Sequence, residues 1–111
     1  MSDSIFLSRE PVDFRKGIYT LCTLVVEAFS KPPQLGIYIF YNQERNKLKI
    51  LGWHRNGFVL VQKVLEKGKF YIAFKDQTTF QITEPQLSWL LAGLNWQLMS
   101  VSDDCQFKHY Y

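Results

Sequence analysis

Between Gly36 and Ile82 the chain breaks into short runs of aromatic and β-branched residues, joined by turn segments only a few residues long. Connections that short can join antiparallel neighbours, whereas a parallel crossover needs a dozen residues or more. The stretch therefore predicts a β-meander. Its runs are Gly36–Tyr41, a segment opening with the alternation Lys47-Leu48-Lys49-Ile50-Leu51, then Phe58–Leu65, Phe70–Phe74 and Thr78–Ile82. Asn56-Gly57 is the strongest hairpin signal, because both positions of such a turn favour φ > 0. A two-residue loop there sets Trp53 opposite Leu60, Lys49 opposite Val64 and Lys47 opposite Glu66. Lys47, Lys49 and Trp53 then share one face of the sheet.

The flanks read differently. Ile5-Phe6-Leu7 is a short first strand. Asp13 has the chemistry of an N-cap. After it Phe14, Ile18, Leu21, Cys22, Val25 and Phe29 recur at helical spacing, which predicts an amphipathic helix to about Ser30. Lys31-Pro32-Pro33 ends it, since proline cannot continue the hydrogen-bond ladder. A second helix starts at Thr83-Glu84-Pro85-Gln86, where Thr83 can cap and Gln86 can reach back. Leu87, Leu90, Leu91 and Leu94 form its stripe, and Gly93 marks its end. The expected architecture is α+β: one domain over residues 1–111, a mostly antiparallel sheet of about five or six strands, and two helices covering one face.

Composition narrows the function classes. Hydrophobic residues at 47% and aromatics at 16% supply a core. No apolar run approaches the length of a membrane span, and Met1-Ser2-Asp3-Ser4 lacks the basic start of a secretory leader, so a cytoplasmic protein is expected. Cys22 and Cys105 are too few for a disulfide framework, and Cys22 lies on the apolar face of its helix. His54 and His109 stand apart from any other ligand type, and no phosphate loop or nucleophile motif occurs. The ten acids are dispersed, and Asp103-Asp104 would point apart on an extended segment. No catalytic residues, metal ligands or cofactors are expected, nor an enzyme.

Charge is more informative. Residues 44–76 hold eight basic and three acidic side chains, against five and seven in the rest of the chain. A basic middle on a near-neutral body suits an anionic partner, though a solvated lysine-rich sheet surface has the same composition. Arg45, Lys47 and Lys49 with Tyr38, Tyr41 and Trp53 interleave cations and rings, as surfaces that pair phosphate contacts with stacking do.

Three motifs carry a resemblance. Asp13-Phe14-Arg15-Lys16-Gly17-Ile18 is similar to a D-x-R-K-G/S/N-apolar opening. Phe40-Tyr41-Asn42 with Arg45, followed by Leu48-Lys49-Ile50-Leu51, Trp53, Gly57 and Phe58, is similar to F-x-N-R…K-x-L-x-W…G-F. Lys63-Val64-Leu65-Glu66-Lys67-Gly68-Lys69-Phe70 is similar to K-x-L-E-x-G-x-F. Together, over about Ile5 to Trp96, the chain resembles the TnpB-type (Orf2) accessory proteins of insertion sequences of the sixty-six type. It departs from them at Asn46, Gly52 and His54. The resemblance implies an accessory factor in bacterial transposition, and the absence of catalytic motifs makes a non-catalytic one the expectation. Its partners would be a separate DDE-type transposase and a sister accessory protein, and no membrane is involved. The expected contact residues, for DNA or for a protein partner, are Arg15, Lys16, Arg45, Lys47, Lys49 and Trp53. Two readings stay open: contact with transposon DNA, or an adaptor docked on the transposase.

Overall fold

In the computed structural model, residues 4–72 and 80–94 are described. β1 (Ile5–Leu7) is followed by α1 (Ile18–Leu24), which runs on into a π-helical stretch, Val25–Phe29. Then come β2 (Ile37–Tyr41), β3 (Lys47–His54), β4 (Gly57–Val64), β5 (Phe80–Ile82) and α2 (Glu84–Leu91). The strands form one sheet in the order β4-β3-β2-β1-β5. β1 and β2 lie parallel, with Ile5 opposite Ile37 and Leu7 opposite Ile39, and α1 occupies the crossover between them. All other pairings are antiparallel. The fold is α+β, as expected.

Strand alternation divides the core into two layers. Ile5, Leu7, Ile39, Tyr41 and Leu48 face one way and pack with Ile82 and Leu90. Phe6, Tyr38, Phe40 and Leu51 face the other way and pack with Leu21, Val25 and Phe29. The two helices thus cover opposite faces of the sheet, not one face. The reason is the parallel β1–β2 crossover. It uses α1 to close one side, which leaves the other side to α2. Tyr38 crosses its layer to donate from its hydroxyl to Leu35 O at 2.6 Å and Pro32 O at 3.2 Å. Its ring stacks on Phe6 at 5.5 Å.

The helix ends show where local chemistry decided and where it did not. At α2 the full capping box forms: Gln86 N donates to Thr83 Oγ1 and Thr83 N donates to Gln86 Oε1. Gly93 follows at φ 80. At the first helix Asp13 is not the cap. The helix starts at Ile18 behind Gly17, which makes no side-chain cap bond, and Asp13 closes a separate turn upstream. The helix ends at Ser30 in the left-handed region, φ 55, just before the prolines.

The hairpin differs from expectation by one residue. Its loop is Arg55-Asn56, with Arg55 at φ 59, and Gly57 is the first residue of β4 with no positive φ. Trp53 therefore faces Phe58, Lys49 faces Gln62 and Lys47 faces Val64. The side-chain period keeps Lys47, Lys49 and Trp53 on one face in either register. The expected strand Phe70–Phe74 is not one over residues 70–72, where buried Phe70 and Ile72 flank exposed Tyr71. Phe70 N instead donates to Arg45 O at 2.7 Å. Its remainder lies outside the described residues, as do Cys105, His109 and Asp103-Asp104.

Gly36 holds φ 122, and a Cβ there would stand 3.2 Å from Ser4 O and 3.2 Å from the Tyr38 hydroxyl. Gly36→Ala should lower stability by about 1–3 kcal/mol, read by urea denaturation, because backbone strain adds to a contact with a fixed carbonyl.

Candidate nucleic-acid interface

Parallel strands end at the same edge of a sheet, so the chain leaving β1 and the chain leaving β2 emerge side by side. Val12 N donates to Tyr41 O at 2.9 Å and fixes that meeting. Between the two loops lies an open groove of about 600 Å³, with Val12, Asp13, Phe14 and Arg15 on one side and Asn42, Gln43, Glu44 and Lys47 on the other. Two of the three recognised motifs thus meet here, although they lie far apart in sequence.

The first loop is held from within and from below. Asp13 Oδ1 accepts from Arg15 N at 2.9 Å, and Lys16 N donates to Asp13 O at 3.1 Å, closing a tight turn. The Arg15 guanidinium returns to the same carboxylate, with Nη2 2.7 Å from Oδ2 and Nε 3.1 Å from Oδ1. The Arg15 side chain nevertheless remains 90% exposed. From below comes Lys49, which is only 8% exposed. Its Nζ donates to Phe14 O at 2.8 Å and Lys16 O at 3.2 Å, and lies 4.8 Å from the centroid of the Phe14 ring.

The second loop is organised by Asn42. Its Oδ1 accepts from Asn46 N and Lys47 N at 3.1 and 3.0 Å. Its Nδ2 donates to Asn46 Oδ1 at 2.7 Å and Glu44 Oε1 at 3.3 Å. This side chain satisfies a turn in which Arg45 takes φ 62. Arg45 in turn donates from Nη1 to Ile72 O at 2.8 Å, so it clamps residues 70–72 to the turn.

The six expected contact residues therefore separate. Arg15 and Lys47 line the groove, Arg15 exposed and Lys47 half-buried, while Lys16 is exposed next to Arg15 but outside the lining. Arg45 is exposed nearby with one nitrogen committed to Ile72 O. Lys49 is not a free cation: its ammonium is spent on two backbone carbonyls beneath the loop. Trp53 is six residues beyond Lys47 along β3, about 20 Å away. It is 38% exposed, edge-on to Phe58 at 4.9 Å and 77°. The rings of Tyr38 and Tyr41 do not interleave with the cations, since both are buried and on opposite faces. Burial pushes the Tyr41 phenol up to about 12.

Asp13 and Glu44 are the groove residues that the reading of the sequence left out. Asp13 pairs with Arg15, and Glu44 Oε1 accepts from Asn42 Nδ2 at 3.3 Å. Asn42 was visible as a motif letter but not as the organiser of the turn. Cys22 is a half-buried free thiol against the α1 layer, raised by burial. Among the described residues no three His, Cys, Asp or Glu side chains cluster as metal ligands, and no helix is long and apolar enough to cross a membrane.

Two outcomes follow from these contacts. Lys49→Met should cost about 1.5–3 kcal/mol in chemical denaturation, the range for hydrogen bonds to a charged group, and should raise amide exchange over residues 13–17. The Arg15 hydrogen bonds hold the Asp13 carboxyl down at about 2. Its folded value lies below the unfolded one of about 3.9, so the pair's contribution is complete above the ordinary range and is lost as pH falls through about 2. A carboxyl-carbon NMR titration of Asp13 should show that midpoint.

The comparisons with known proteins agree with the motifs. A family model described as IS66 Orf2 like protein matches residues 3–101. An uncharacterised Sinorhizobium fredii protein, y4jC, is 33% identical over 93 residues, covering 83% of this chain and 80% of its own length. A second from the same organism, y4hO, is 27% identical over 94 residues, covering 84% and 82%. No solved structure matches the chain. With every described residue inside the matched region, the chain belongs to the IS66 Orf2-like (TnpB-type) family, the accessory proteins of insertion-sequence transposition.

Proposed function

We propose that this protein serves transposition as a non-catalytic, cytoplasmic factor that holds transposon DNA at the groove between its two motif loops. Arg15, Lys16 and Lys47 contact phosphates, and Arg45 lends its remaining donors at the rim. Lys49 acts as a positioning residue, and Trp53 offers a ring at the far end of the same face. The reading rests most on one observation: a buried lysine holds the carbonyls of Phe14 and Lys16, while the Arg15 side chain between them stands 90% exposed. A loop anchored in this way presents its cations with little ordering left to do on binding. Asp13 holds the guanidinium through Nε and Nη2, so an incoming phosphate would be met from the Nη1 side.

An adaptor role toward the DDE-type transposase or a sister accessory protein has its own support in the Trp53–Phe58 pair. The hairpin loop next to that pair carries Arg55, and aromatic and arginine side chains are the types that dominate protein interfaces.

Salt dependence separates the two. With about three or four phosphates neutralised, log affinity for a duplex carrying an element end should fall with log salt at a slope of roughly −3 to −4. The triple variant Arg15→Ala, Lys16→Ala, Lys47→Ala should flatten that slope by about 3. A flat response in the wild type, or a triple variant that binds like it, removes the DNA reading. Salt-resistant binding to purified transposase supports the adaptor.

A further inference from the structure

β4 is an outer strand of the sheet, and its hydrogen-bonding pattern can be read from its ends. Leu65 N donates to Asn46 O at 2.9 Å, which makes 46–65 a hydrogen-bonded pair of the β3–β4 register. Such pairs recur at every second residue. On the other side of β3, Asn42 N donates to Lys47 O, the complementary phase. Residues 57, 59, 61 and 63 therefore use their backbone groups on β3, while Phe58, Leu60, Gln62 and Val64 turn theirs outward. Among the described residues no strand pairs with that outer edge.

Natural edge strands are guarded by charge, proline, bulges or short length. β4 has eight residues in unbroken register, no proline and one charge, Lys63. Val59, Val61 and Val64 are 46%, 53% and 48% exposed. Of those guards β4 carries only Lys63.

We propose that β4 pairs antiparallel with β4 of a second copy of this chain, about a two-fold axis at Val61. This register sets Phe58 opposite Val64 and Leu60 opposite Gln62 of the second copy. It engages every outward N–H and C=O of both strands, which no other antiparallel self-register does. It also keeps like charges apart. Lys63 faces Val59 of the second copy, and the two Lys63 side chains stand about 14 Å apart, beyond the screening length of roughly 8 Å.

The second copy also contributes to the surface that a single chain leaves divided. Trp53 lies opposite Phe58, and Val64 opposite Lys47, all on the α1 face. In the dimer these pairs join into one row across the sheet: Trp53, Phe58, then Val64 and Lys47 of the second copy. Ring and cation then lie three strand spacings apart, about 14 Å, instead of about 20 Å along β3. Long side chains can shorten that gap, and the row occurs twice by symmetry.

The full-length protein tests this through its mass and cross-linking, without DNA, so failure here is distinct from failure of the DNA reading. Sedimentation velocity should show a concentration-dependent dimer. Val61→Lys, which sets two ammonium groups face to face, and Gln62→Pro, which removes an outward N–H but no bond to β3, should each weaken dimerisation by roughly tenfold or more. Far-UV circular dichroism should show both variants folded. In a Cys22→Ser, Cys105→Ser background, Val61→Cys should oxidise to a covalent dimer, since non-hydrogen-bonded partners stand about 4.5 Å apart between Cα atoms. Val59→Cys should not. This comparison holds even where Val61→Lys fails to fold. A wild type that stays monomeric at the highest attainable concentration overturns the proposal, as does Val59→Cys linking as readily as Val61→Cys.

Discussion

The parallel pairing of β1 with β2 decides where everything else in this protein lies. It needs a long crossover, which α1 supplies, and it sends the chain out of both strands at the same edge. The 11–16 and 42–47 loops meet for that reason alone. Reversing either strand would leave Asp13-Phe14-Arg15-Lys16 and Asn42–Lys47 at opposite ends of the sheet. The same pairing assigns α1 to one face and leaves the other to α2, so the two core layers are a consequence of topology and not only of hydrophobic pattern.

Lys49 is a motif residue whose ammonium is committed inside the fold. A lysine on a sheet face normally extends its ammonium to water. Here the loop after β1 lies over it, and the buried ammonium is stabilised by the Phe14 and Lys16 carbonyls and the Phe14 ring. An unpaired buried charge is far costlier than a paired one, so loop and lysine hold each other in place. Sheet stability and the presentation of Arg15 and Lys16 are thereby coupled through one side chain. Asn42 does the equivalent work for the facing loop with four hydrogen bonds and no charge of its own.

Much of this was legible in the residues where the chemistry is local. The Thr83–Gln86 box and Gly93 mark α2 by contacts within a few residues of one another, and the turn-separated runs name β2, β3 and β4. What escaped was set by distance or by competition. Asn56-Gly57 carries a strong turn preference, but the hairpin turns one residue earlier on Arg55, whose φ of 59 accepts the strain that glycine would have avoided. Asp13 has the right side chain for a helix cap and uses it on Arg15. The groove itself was invisible, because no local pattern reports that β1 runs parallel to β2. Lys49 looked like a surface cation for the same reason: nothing near it in sequence shows the loop that covers it.

The proposed DNA-contacting face is the pair of joined loops. Amide shift mapping of the nitrogen-15-labelled protein during titration with an element-end duplex tests it most directly. The largest shifts should fall within residues 13–17 and 42–47, with weaker ones at Trp53. Shifts confined to the α2 face of the sheet, with both loops unmoved at saturation, would contradict it.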